Sequence, residues 1–121
     1  ALLGLLAQRL VRVLCPHCKA PYTPDQGECE LMGFDPHQPP QIHRAVGCEH
    51  CNELGYAGRT GIYELVVVDD ELRTLIHNNA SEQEMTRCAR QHGAGIREDG
   101  RRKILEGVTT IEEVVRVSAQ D

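Results

Sequence analysis

At 121 residues the chain has room for one domain or two very small ones. A net charge of −5 and a pI near 5.7 exclude a general nucleic-acid binder, which needs a basic face to displace counterions. The longest apolar run is far short of the roughly 20 residues that span a bilayer, so no transmembrane segment is expected.

Apolar residues make up 40% of the chain but aromatics only 3%, so large core-filling rings are scarce. A bound metal would help so small a core, since structural zinc contributes on the order of 10 kcal/mol to folding. There are six cysteines, four of them in C-x-x-C pairs. With no signal-like leader, these favour metal over disulfides and place the chain in the cytoplasm.

In chain order, Ala1–Gln8 is apolar and reads as a helix that opens without a cap or a start methionine, as if cut from a longer chain. Arg9–Leu14 reads as a strand that delivers Cys15. Lys19–His43 is rich in proline and has no period, apart from a helical patch at Cys29–Phe34 closed by Gly33. So long a stretch is unusual as a free loop. Tethering both its ends to one metal would order it. Gly55-Tyr56-Ala57-Gly58-Arg59-Thr60-Gly61 indicates turns and close backbone approach. Ile62–Val68 is the strongest strand signal and is expected to pair with Arg9–Leu14.

Helices follow. Asp69 or Asp70 caps one that carries Leu72, Leu75 and Ile76 on one face. Ser81-Glu82-Gln83-Glu84 is a capping box for a second, with Met85, Cys88 and Ala89 inward and a stop near Gly93. Arg97–Leu105 is a third, ended by Gly107. Thr110-Ile111-Glu112-Glu113 opens a fourth, with Ile111, Val114 and Val115 on one face. Helices this short need packing partners.

The chemistry-bearing pattern is C-x2-C-x29-C-x2-C, formed by Cys15, Cys18, Cys48 and Cys51. Four thiolates on two tight turns suit a tetrahedral zinc or iron ion. Lys19 and Asn52 stand after the second cysteine of each pair, where an iron knuckle usually has glycine. With the scarcity of aromatics, this favours one structural zinc over a rubredoxin-like iron carrier. Four thiolates leave no open position, so no reaction is expected at the metal. His17 and His50 could substitute as ligands but read as exposed loop residues. Lys19 and nearby arginines would offset the site's charge. Cys29 and Cys88 read as buried small hydrophobes. Arg97, Arg101, Arg102 and Lys103 form a basic run that reads as a solvated face.

Other chemistry is missing from the sequence. It has no G-x-x-x-x-G-K-[ST], no H-E-x-x-H and no serine-based triad motif. Gly93-Ala94-Gly95 is an incomplete dinucleotide loop. A zinc-ribbon nucleic-acid module would require the missing basic face.

Three segments together carry a resemblance: Gln8–Lys19, Gly47–Cys51 and Gly55–Glu64. Arg97-Glu98-Asp99-Gly100 and Gly107–Val114 extend it over nearly the whole chain. These residues resemble the C-terminal part of the type II secretion ATPases (general secretion pathway protein E), within the wider family that includes type IV pilus assembly ATPases. The sequence departs from the pattern at Ala94 and Gly95, where a bulkier residue is expected. The resemblance implies a hexameric, cytoplasmic motor, held at the bacterial inner membrane by platform proteins. It would use ATP and Mg to drive a pseudopilus, with its phosphate-binding loop upstream. It implies zinc on the four cysteines. Arg59, framed by glycines, is the one candidate for contact with nucleotide phosphate, since a guanidinium offers a planar fork to phosphate oxygens. The alternative is a loop arginine pairing with Glu64 or Glu53.

The expected architecture is α+β: a four-cysteine zinc subdomain on a short antiparallel sheet, then a bundle of about four short helices. The expected division is residues 1–14 as the end of an ATPase core, 15–58 as the metal subdomain, and 59–121 as a strand with the helical part.

Overall fold

The computed structural model describes residues 4–67, 70–85 and 95–118. Strand β1 (Gly4–Leu14) and strand β4 (Tyr56–Val67) form a long antiparallel ribbon, with Leu10 opposite Gly61 and Arg12 opposite Arg59. The pairing of Arg9–Leu14 with the Ile62 strand is as expected. The helix expected before it is not. From Gly4 onward the chain is strand, with Leu5 opposite Val66 and Gln8 opposite Tyr63. The partner strand outruns Arg9 and offers ladder hydrogen bonds to these residues, which a helix this short could not match without packing partners. β4 begins at Tyr56 and so runs through the expected boundary between residues 58 and 59.

The proline-rich stretch is built, not merely tethered. Strand β2 (Ala20–Tyr22) pairs antiparallel with strand β3 (Ile42–Arg44), making a second small sheet. Between them lies helix α1 (Gln26–Met32). Asp25 caps it: the Asp25 carboxylate accepts from the Glu28 N–H at 2.8 Å, and Glu28 Oε1 accepts from the Asp25 N–H at 3.1 Å. Gly33 closes the helix in the left-handed conformation, as the sequence indicates.

After β4 comes helix α2 (Asp70–His77). Ile76, read as part of one apolar face, is 52% exposed. Ser81 Oγ accepts from the Glu84 N–H at 3.1 Å and opens a helical turn over 82–85. Cys88, Ala89 and the stop at Gly93, like Ala1–Leu3 and Asp69, lie outside the described residues. Helix α3 (Ile96–Leu105) and helix α4 (Ile111–Ser118) complete the order.

Among the described residues the helices do not stand apart as one bundle. α3 packs on β4 and on α4, and α4 packs on β1. Val11, Ile62 and Ile96 are buried together, with Val117 against them. A second cluster joins α1, β3 and the last two helices through Cys29, Met32, Phe34, Ile42, Ile104, Ile111 and Val114. α3 and α4 cross closely at Gly100, where an added Cβ would lie 2.5 Å from Val114 Cγ1.

Candidate metal centre

β1 carries the first knuckle. Its end is fixed by the Leu14 N–H donating to Val108 O at 2.8 Å, and the Cys15 N–H donates to Gly55 O at 3.0 Å. The first knuckle is therefore stitched directly to the segment that follows the second. The turn closes with the Lys19 N–H on Cys15 O at 3.1 Å. The second knuckle is one 3-10 turn, Glu49–Cys51, entered from an extended Cys48. Asn52 (φ 54°) and Glu53 (φ 64°) are left-handed, and the Glu53 N–H returns to Cys48 O at 2.8 Å. Asparagine tolerates that conformation better than most residues.

These turns bring the four sulfurs of Cys15, Cys18, Cys48 and Cys51 within 4.8 Å of one another. Equivalent cysteines face each other: Sγ–Sγ is 3.8 Å for Cys15–Cys48 and 3.8 Å for Cys18–Cys51. Cys48–Cys51 is also 3.8 Å. A tetrahedral ion with metal–sulfur bonds of about 2.3 Å has edges of about 3.8 Å, so the donor set fits one such ion. Cys15 and Cys51 are buried, while Cys18 and Cys48 are half-buried. Tetrahedral geometry alone suits zinc and iron equally.

Backbone amides supply the compensating polarity. The Gly47 N–H donates to Cys18 Sγ at 3.3 Å, and the Cys48 and Gly55 N–H groups donate to Cys51 Sγ at 3.2 Å each. Cys18 and Cys51 therefore have amide donors although no glycine follows the second cysteine of either pair. Gly55 has φ 84°, and a Cβ there would lie 2.7 Å from the Ala45 Cβ, so the donor position is specific to glycine. Lys19 Nζ donates to Gly107 O at 3.0 Å.

The thiols are unequal. Burial acts to raise the Cys51 pKa, but the N–H groups of Cys48 and Gly55 outweigh it and bring it down to about 6. Burial pushes Cys48 up to about 12, and the neighbouring thiols add to that. Burial also raises Cys18, against the Gly47 N–H. Four thiols this close cannot all ionise by themselves. A divalent cation among them reverses the balance and favours four thiolates.

His17 and His50 are exposed, as expected of loop residues, and neither belongs to the cluster of close sulfurs. Their rings stack at 4.0 Å between centroids and 22° between planes. The repeated C-x-H-C spelling of the two knuckles was the available signal for that contact. Arg59 is exposed on β4, opposite Arg12, and is not part of the sulfur site. Arg12 lies 4.1 Å over the Tyr56 ring. The basic run on α3 is largely paired: Arg101 with Glu98 at 3.7 Å, Arg102 with Asp99 at 3.4 Å, and Arg97 Nε on Ser118 Oγ at 3.1 Å. Cys29 is 1% exposed in the core, as read from sequence.

Sequence reasoning missed Glu113. Its backbone N–H does donate to Thr110 Oγ1 at 3.3 Å, as a capping box requires. Its carboxylate, however, is buried between Arg12 and Arg116. No helix among the described residues is long and apolar enough to cross a membrane.

Residues 1–116 match the family model described as "Type II/IV secretion system protein". The chain is 65% identical over 121 residues to the type II secretion system protein E of Pseudomonas aeruginosa, covering all of this chain and 24% of that protein. It is 49% identical over 120 residues to the type II secretion system ATPase E of Vibrio cholerae, covering 99% of this chain and 24% of the relative. A type IV pilus assembly ATPase of Acinetobacter baylyi is 45% identical over 119 residues, covering 96% of this chain and 20% of the relative. The chain thus spans a fifth to a quarter of the length of these curated relatives. With the family match running through both cysteine knuckles and into the last helix, the chain belongs to the Type II/IV secretion system protein family.

Proposed function

We propose that this chain is the metal-binding and coupling portion of an ATP-hydrolysing motor for type II secretion, and that Cys15, Cys18, Cys48 and Cys51 hold one structural zinc. The observation that carries the reading is the four sulfurs within 4.8 Å, in a chain whose similarity to a type II secretion system ATPase E spans 99% of its length. Zinc supplies a redox-inert cross-link between the knuckles. The protein's part is to gather the thiols and donate N–H groups to Cys18 and Cys51. The expected division describes the labour. Residues 1–14 would continue from an ATPase core, 15–58 would hold the metal, and 59–121 would transmit movement.

In the whole protein, ATP and Mg would bind at a phosphate-binding loop outside these residues. The motor would assemble as a hexamer in the cytoplasm and reach the inner membrane through platform proteins of the secretion system. Arg59 remains the proposed phosphate contact, supported by its exposure and the adjacent Gly58. Assembly of a type IV pilus is the second reading, favoured by the likeness to a pilus assembly ATPase.

Metal analysis of the purified full-length protein should find about one zinc per chain. Red, iron-containing protein would replace the zinc reading with the rubredoxin-like one. In the full-length hexamer, Cys15→Ser should impair secretion, and Arg59→Ala should slow ATP turnover. Normal turnover in Arg59→Ala removes the phosphate role. Lost piliation with intact secretion in a deletion strain selects the pilus reading.

A further inference from the structure

The two knuckles share more than their cysteines. Cys15-Pro16-His17-Cys18 and Cys48-Glu49-His50-Cys51 place a histidine at the same step. Cys15 faces Cys48 and Cys18 faces Cys51, each at 3.8 Å, so His17 and His50 are the corresponding pair. Their rings are stacked at 4.0 Å although both residues are exposed. The stack therefore bridges the two turns at the surface, beside the Cys15 N–H bond to Gly55 O. Offset stacking of aromatic rings is favourable beyond the area it buries.

We propose that the His17–His50 stack is a clasp that holds the two knuckles in register independently of any metal and so slows the metal's release. The histidines are positioning residues. They touch each other, while the sulfurs hold the ion. A metal leaves a tetrathiolate site by stepwise loss of sulfurs, which needs the knuckles to part. A contact that bridges the knuckles opposes that parting. It also keeps the four thiols gathered before a metal arrives. This inference rests on reading the four cysteines as a metal site.

The test uses the full-length protein loaded with cobalt as a spectroscopic probe, with excess EDTA as the acceptor. The release rate is read from loss of the sulfur-to-cobalt absorption. His17→Ala and His50→Ala should each speed release by about threefold to tenfold, the range expected for one aromatic pair. The double Ala variant should be little faster than either single, because one substitution already breaks the stack. His17→Phe with His50→Phe should restore slow release, and the cobalt spectrum should be the same in every variant. Wild-type release rates in the Ala variants overturn the clasp. So does a spectrum that changes on losing a histidine, because that histidine would then be a ligand.

A protein that takes up no cobalt or zinc refutes the metal reading and leaves the clasp to a second measurement. In metal-free protein, diamide oxidises a facing thiol pair to a disulfide and is itself reduced to the hydrazine. Formation of the Cys15–Cys48 disulfide, followed by peptide mass spectrometry, should be slower in the Ala variants than in wild type. Equal rates overturn the clasp.

Discussion

Arg12 meets Glu113 twice: its backbone N–H donates to Oε1 at 2.7 Å, and its guanidinium donates to Oε2 at 3.1 Å. Arg116 adds two more donors from the next turn of α4, at 2.9 and 3.3 Å. Arg12 sits near the end of β1, three residues before Cys15, so this contact ties the last helix to the strand that carries the first knuckle. The turn before α4 reinforces it. Thr109 Oγ1 donates to Arg12 O at 2.8 Å, and Tyr56 OH and Thr110 Oγ1 are 2.9 Å apart. The metal end and the helical end of the chain are one connected network.

Glu113→Ala should therefore destabilise the fold by about 2 kcal/mol, within the range for hydrogen bonds to a charged group. Larger losses are not expected. Arg12 and Arg116 are about half exposed, and water can solvate them once the carboxylate is gone. The measurement is the urea midpoint. A midpoint equal to wild type would mean that the network carries no net stability.

The same carboxylate predicts a pH dependence. Burial acts to raise the Glu113 pKa, but hydrogen bonds from Arg116 and Arg12 outweigh it and hold it at about 2, against an ordinary 4.5. A folded pKa below the unfolded one means that the unfolded chain takes up the proton first. The contribution to stability is then complete above about pH 4.5 and is lost as pH falls toward 2. Glu113→Gln has no such proton to take up. Its acid unfolding curve should be flatter than wild type in that window and parallel to it above. Identical slopes would show that Glu113 is not held ionised.

Gly100→Ala should destabilise by about 1–3 kcal/mol, the usual range for overpacking. The added Cβ would lie 2.5 Å from Val114 Cγ1 and 2.9 Å from Cγ2, and Val114 is fully buried. The helices must move apart to accept it. Combining Gly100→Ala with Val114→Ala should recover part of the loss, because the clash partner is removed. Additive losses in the double variant would place the strain elsewhere.

The legible part of this chain was local. C-x-x-C spacing located the knuckles, the Ile62–Val68 run marked the long strand, and Ser81 and Thr110 each cap as their spelling indicates. What was hidden depended on partners far away in sequence. Gly4–Gln8 carries no strand period and becomes a strand because β4 reaches it. β2 and β3 are three residues each, too short to show a period amid proline. Glu113 reads as a helix-capping glutamate, since its partner Arg12 lies 101 residues away. The Asp25–Glu28 box was legible in principle, but the prolines around it masked the signal.

These hidden elements change what metal removal should do. From sequence, the Lys19–His43 stretch owes its order to being tied at both ends to the metal. In the structure it has anchors of its own: β2 pairs with β3, and Cys29, Met32, Phe34 and Ile42 are buried against Ile104, Ile111 and Val114. The 45–55 segment has less. Its turns lean on sulfur, with the N–H groups of Gly47, Cys48 and Gly55 all directed at cysteine sulfurs. Cys48→Ser, or chelation of the wild type, should therefore lower amide protection at 45–55 more than at α1 and β3, with the His17–His50 clasp keeping the two knuckles close. Global stability should still fall, because a structural metal's binding energy is folding energy. Hydrogen exchange read by mass spectrometry separates the two accounts. Loss of protection across α1 together with 45–55 would restore the tether as the source of order. Protection unchanged at 45–55 would mean that the ion adds no order to that segment beyond what the clasp and the sulfur contacts give.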